Sequence, residues 1–122
     1  MTRSLPQAAI LLAAGLMGAC GVGLAAAASH GADARLLGGA SAMCLAHAPA
    51  LVALHSSYGR FVTAGIAALL LAAGTILFAG DLVARNILGQ GLFPMSAPAG
   101  GVMMLAGWLA IAAGALFSRK DT

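Results

Sequence analysis

The chain has 122 residues, of which 61% are apolar and 7% are charged, and its formal charge is +3. With a mean hydropathy of +1.00, it has too few polar groups to cover a water-soluble surface, which predicts that lipid is its solvent. Its basic residues form no cluster of the kind that binds nucleic acid, so we expect no nucleic-acid partner.

Four apolar stretches predict an all-α fold, an integral membrane bundle of four transmembrane helices in a single domain, residues 1–122. A helix needs about 20 apolar residues to cross a hydrocarbon core about 30 Å thick. The predicted helices are approximately 7–29, 40–57, 61–83 and 97–117. The second is apolar only over 40–54 and contains Pro49, which removes a helical hydrogen bond, but extended to Ser57 it is long enough to cross.

The first span has an alternative interpretation as a cleaved signal peptide, because Arg3 precedes an apolar run that ends in small residues. Residues 17–20, Met-Gly-Ala-Cys, resemble a lipoprotein cleavage box. We favour an uncleaved span, because the run exceeds a signal core of about 7–15 residues and three more hydrophobic spans follow it.

The charges between the spans predict the orientation. On the side of both termini lie four basic residues, Arg3, Arg60, Arg119 and Lys120. On the opposite side lie two basic residues with acidic neighbours, Arg35 with Asp33 and Arg85 with Asp81. The positive-inside rule therefore predicts that both termini are cytoplasmic. Asp81 and Arg85 have the spacing of a helical ion pair, with a solvated helix end as the alternative.

Small residues at helical spacing predict close packing between helices, because small side chains let helices approach in lipid. They recur every four residues in three sets: Gly15, Ala19 and Gly23; Ala64, Ala68 and Ala72; Ala106, Ala110 and Gly114. Glycine also recurs every seven residues, at Gly100, Gly107 and Gly114, as in a left-handed helix crossing. Trp108 lies among these glycines, and we interpret it as a large packing residue.

His47 lies deep within the second predicted span, whereas His55 lies at its end, and an ionisable group at that depth is worth a functional hypothesis. Met43, Cys44 and His47 share one helix face, and their ligand types suit a soft metal such as Cu(I). The alternative is that His47 hydrogen-bonds another helix and fixes a kink at Pro49. We favour this alternative, because the chain has no CxxxC or MxxM ligand pair, and we predict no metal site.

The cysteines, the other two histidines and the search for catalytic motifs give no further candidate site. Cys20 and Cys44 lie within apolar spans, which favours packing thiols over a disulfide. His30 and His55 lie at helix ends without a ligand at metal-binding spacing. The sequence contains no HExxH, GxSxG or P-loop motif, so we predict no catalytic residue and no cofactor.

Four segments in order resemble one family. The first is the glycine-rich segment 15–23, which leads to Ser-His-Gly at 29–31, and the second is His-Ala-Pro-Ala-Leu at 47–51. The third is Leu-Phe-Ala-Gly-Asp-Leu at 77–82, and the fourth is Ala-Pro-Ala-Gly-Gly at 97–101, followed by Gly-Trp at 107–108. The chain thereby resembles the YgdD-like family of small four-helix membrane proteins, a domain of unknown function. The resemblance implies four spans, a bacterial inner-membrane or mitochondrial setting and no established catalytic activity. Asp81 stands where the family has a small hydroxyl residue.

Two functions follow as hypotheses. The first is a non-enzymatic accessory or structural subunit in the bacterial inner membrane, which packs with a membrane-protein partner or with its own copies. The second is a small-molecule or soft-metal carrier centred on His47. An enzyme is the least supported class, since no paired acid, base or nucleophile is present.

Overall fold

Four long helices account for most of the structure, a computed structural model that describes residues 4–31 and 33–117. The helices are α1 (Leu5–His30), α2 (Ala34–Ser56), α3 (Ala64–Leu88) and α4 (Ser96–Phe117). All four are long and apolar enough to cross a membrane, and the described residues contain no strand. The predicted all-α fold with four membrane-spanning helices is confirmed. Arg3, Arg119 and Lys120, used to predict the orientation, lie outside the described residues.

Three helix boundaries lie three or more residues from the predicted ones. Helix α2 begins six residues earlier than expected, because the Asp33 side chain accepts a hydrogen bond from the backbone N–H of Leu36 at 3.4 Å. Helix α3 begins at Ala64, after a turn in which Gly59 has a φ of 84°. It ends at Leu88, because the left-handed conformation of Gly89 closes it.

The α3–α4 contact depends on the glycines that recur every seven residues. Gly100, Gly107 and Gly114, here called the glycine seam, are all buried. A Cβ atom on Gly100 would lie 2.7 Å from the carbonyl oxygen of Gly74, so the two backbones are in direct contact. A Cβ on Gly107 would lie 2.7 Å from a methyl carbon of Leu71. The packing predicted from this repeat is confirmed.

Helix α1 packs on α2 through a different face from the one its small residues suggested. Its buried residues are Ala14, Met17 and Gly21. The Ser41 hydroxyl on α2 donates a buried hydrogen bond of 2.7 Å to the carbonyl oxygen of Gly21. The predicted stripe of Gly15, Ala19 and Gly23, here called the outer ridge, is exposed. The prediction that this stripe packs against another helix of the bundle is therefore wrong.

Helices α2 and α3 form the middle of the bundle, with α1 along α2 and α4 along α3. In the described residues, no Cα atom of α4 comes within 8 Å of one in α1 or α2. Helices α1 and α3 touch over a short stretch only, which leaves a groove between them. Pro49 lies on the exposed face of α2, and the helix continues through it to Ser56.

Candidate functional site

His47 forms a hydrogen bond through each of its ring nitrogens. Nδ1 lies 2.8 Å from the carbonyl oxygen of Met43, and Nε2 lies 3.1 Å from Nε1 of Trp108. A carbonyl oxygen only accepts and an indole N–H only donates, so Nδ1 carries the proton and Nε2 accepts from Trp108. The side chain is 5% exposed. The interpretation of His47 as a hydrogen-bonding link to another helix is confirmed.

Trp108 is the partner that sequence reasoning missed. Its ring lies 5.7 Å from the His47 ring, centroid to centroid, and its N–H links α4 to α2. The two helices have no close backbone contact, so these long side chains join them. A tryptophan in the middle of a span was itself a signal, because its N–H needs an acceptor where water is absent.

Two of the three residues proposed as soft-metal ligands, His47 and Cys44, lie against different parts of the bundle. Met43 contributes its backbone carbonyl to His47, while Nε2 of His47 faces Trp108 on α4. Cys44 instead lines the groove between α1 and α3. Cys20 lines the same groove, and both cysteines are free thiols. Among the described residues, no group of three or more His, Cys, Asp or Glu side chains could hold a metal ion.

Asp81 is the centre of a second polar cluster, near the C-terminal end of α3. Its side chain is fully buried and forms an ion pair with Arg85 Nε at 2.7 Å. Its Oδ1 atom accepts hydrogen bonds from the Leu92 backbone N–H at 2.9 Å and from the Ser96 hydroxyl at 2.5 Å. A Cβ atom on Gly91 would collide with the carboxylate. The i,i+4 pair is therefore formed, and its carboxylate holds the loop that leads into α4.

The two other histidines lie at helix ends, as predicted. His30 is in the last turn of α1 and is exposed. His55 closes α2, and its Nδ1 atom lies 2.8 Å from the carbonyl oxygen of Gln7. The Gln7 side-chain amide donates back to the carbonyl oxygen of His55 at 3.3 Å. This reciprocal pair, which the sequence gave no reason to expect, fastens the start of α1 to the end of α2.

The groove between α1 and α3 consists of two cavities, of about 450 and 510 Å³. They adjoin at Ala9 and Ala13, which line both. Along α1 the groove extends from Pro6 to Leu24, about 27 Å at the helical rise of 1.5 Å per residue. That length is close to the thickness of the hydrocarbon core, about 30 Å. We call it the α1–α3 groove.

These features define a small four-helix membrane protein whose polar side chains serve contacts between its own helices and loops. The family described as "Protein of unknown function (DUF423)" matches residues 17–101, and the chain belongs to this family. The membership agrees with the resemblance to the YgdD-like proteins. Comparisons with curated proteins and with solved structures find no match.

Proposed function

We propose that the chain is a non-enzymatic accessory subunit that packs the outer ridge of α1 against a helix of a larger membrane protein. In this proposal the protein lies in a bacterial inner membrane with both termini in the cytoplasm, as the excess of basic residues on the terminal side favours.

The observation that carries the proposal is the open space over the outer ridge. A Cβ atom on Gly15 or Gly23 would meet nothing within 4 Å, and Ala19 is exposed. The glycine seam of α4 has the same kind of residue and is covered at contact distance, by α3 at Gly100 and Gly107 and by the turn before α3 at Gly114. Small residues in membrane helices favour close approach of a second helix. The ridge is thus a packing surface that this bundle leaves uncovered.

The polar side chains of the bundle support a structural role. Among the described residues, every buried side-chain nitrogen or oxygen atom has a hydrogen-bond partner. Ser41 and His47 use theirs to join helices, and Asp81 uses its carboxylate to hold a loop. Ion paths and catalytic centres instead present polar groups to a cavity.

The test is purification from gently solubilised native membranes after crosslinking, followed by mass spectrometry of the co-purifying proteins. Gly15→Leu and Gly23→Leu put bulk on the ridge, at positions where an added Cβ meets nothing within 4 Å. The matched control is Gly101→Leu on α4, which also has nothing within 4 Å. We expect one partner at near-equal stoichiometry with the wild type and with the control, and its loss with the ridge variants.

Other results would contradict the proposal. A partner retained equally by all variants would show that binding does not use the ridge. A protein that purifies alone as a monomer and crosslinks to nothing would exclude the subunit role. Crosslinks between identical chains that depend on the ridge would replace the foreign partner with a second copy.

The carrier centred on His47, Cys44 and Met43 is the second hypothesis, and the geometry favours it less. A metal ion on His47 would take the Nε2 lone pair that now accepts from Trp108. Metal analysis of the wild type and of His47→Ala decides between the two. A stoichiometric soft metal that is lost with His47→Ala would support the carrier and contradict the structural role of His47.

A further inference from the structure

We infer that the half of the α1–α3 groove beside the start of α1 and the end of α2 binds one acyl chain of an anionic phospholipid, with the lipid phosphate beside Arg60. The outer ridge of α1 is not part of this cavity, so the inference stands apart from the proposed partner surface.

The cavity in this half of the groove has the character of a site for hydrocarbon. Its volume is about 450 Å³, and its lining is apolar apart from the Tyr58 hydroxyl. Ala9 on α1 and Leu69 on α3 line it and are exposed, so the cavity is accessible from the surrounding lipid. Leu51 of α2, which is fully buried, lies at its floor. A chain lying here is flanked by two helices and backed by a third.

The cavity reaches the membrane surface at its Tyr58 end. Tyr58 follows the end of α2 at Ser56, and its ring lies against α3, with Cε2 3.6 Å from the Cβ position of Gly65. A tyrosine ring that is half-buried between apolar surface and water is typical of the membrane interface. Arg60 follows two residues later and is exposed. A lipid whose chain fills the cavity therefore has its headgroup at the level of Arg60.

The charge distribution selects an anionic headgroup. From the order of the spans, the sequence predicts four basic residues and one acidic residue on the Arg60 side of the membrane, which together carry the formal charge of +3: Arg3, Arg60, Arg119, Lys120 and Asp121. At the opposite end, two acidic residues balance two basic ones: Asp33, Asp81, Arg35 and Arg85. Basic residues next to a membrane span attract anionic lipids. This complementarity favours a phospholipid over an uncharged helix as the occupant.

The test is native mass spectrometry of the purified full-length protein with phosphatidylglycerol and with phosphatidylcholine of identical chains. Ala9→Phe places a ring in the cavity, with Ala112→Phe, at an exposed position on α4, as the control. Arg60→Gln removes the positive charge proposed to lie beside the lipid phosphate, with Arg35→Gln, at an exposed arginine at the other end, as its control. Circular dichroism verifies that each variant is folded.

We expect one phosphatidylglycerol per chain to remain bound under conditions that remove most, but not all, of the phosphatidylcholine. Ala9→Phe should weaken the binding of both lipids about tenfold, which corresponds to about 1.4 kcal/mol. Arg60→Gln should abolish most of the preference for phosphatidylglycerol and leave the phosphatidylcholine level unchanged. The two controls should behave as the wild type.

Three results would overturn the inference. Equal retention of the two lipids by the wild type would exclude headgroup recognition. Identical lipid binding by Ala9→Phe and Ala112→Phe would show nonspecific contact with the bilayer only. A photoreactive residue at Leu69 that captures a protein in native membranes, and no lipid, would identify a partner helix as the occupant of the groove.

Discussion

The Asp81 carboxylate joins the end of α3 to the loop that leads into α4, and two substitutions separate its charge from its shape. Asp81→Asn keeps one oxygen that can still accept from the Leu92 N–H and the Ser96 hydroxyl. It places an amide N–H₂ opposite Arg85, where two donors face each other. Asp81→Ala removes all three hydrogen bonds.

The magnitudes follow from the exposure of each partner. Arg85 is 46% exposed and finds water when its carboxylate is lost, so its ion pair contributes about 0–1 kcal/mol. A buried donor left without an acceptor costs about 1–3 kcal/mol. Asp81→Asn should therefore lower the free energy of unfolding by about 1–3 kcal/mol. Asp81→Ala leaves the fully buried Ser96 hydroxyl and the part-buried Leu92 N–H without their acceptor, and should cost about 2–4 kcal/mol.

The assay is unfolding by sodium dodecyl sulfate in mixed micelles, followed by circular dichroism, together with hydrogen exchange of the loop that contains Leu92. Asp33→Asn is the matched control, because Asp33 is exposed and asparagine caps a helix as well as aspartate does. We expect faster exchange at Leu92 in Asp81→Ala only. Equal stability of Asp81→Ala and Asp33→Asn, with unchanged exchange at Leu92, would refute the reasoning.

Two further substitutions test the contacts of α4 in the same unfolding assay. Gly100→Ala should cost about 1–3 kcal/mol, because its Cβ would lie 2.7 Å from the Gly74 carbonyl oxygen and the helices would have to separate. Gly101→Ala, with nothing within 4 Å, should cost nothing, and equal effects would contradict the seam. Trp108→Phe keeps an aromatic ring but leaves Nε2 of His47 without a donor, so we expect a loss of about 1–2 kcal/mol. Unchanged stability would contradict the helix link.

The helices and one packing surface were predictable because hydropathy and residue spacing are local properties. Four apolar runs predicted the four spans, and the seven-residue glycine repeat predicted a close-packing surface on α4 but not the helix that covers it. The same argument did not tell which surface of α1 is covered, because small residues show where a helix can approach closely, not which helix does so. The outer ridge is the case where the pattern is present and the bundle provides no neighbour.

The candidate site was less predictable because its contacts join distant parts of the chain. The acceptor for the Trp108 N–H is His47, 61 residues earlier, and no periodicity records that pairing. The contacts of Asp81 with Leu92 and Ser96 depend on the path of a loop. The α1–α3 groove arises because two helices stay apart, and a sequence pattern carries no direct sign of that distance.

The central claim is that the outer ridge binds a partner helix. Photocrosslinking in native membranes, from a single labelled residue on the ridge, tests this claim directly. A photoreactive amino acid at Ala19 lies on the ridge, and the same residue at Leu109, which is exposed on α4, samples lipid as the control. The account predicts one discrete protein adduct from position 19 and none from position 109. Lipid adducts alone from both positions would contradict it.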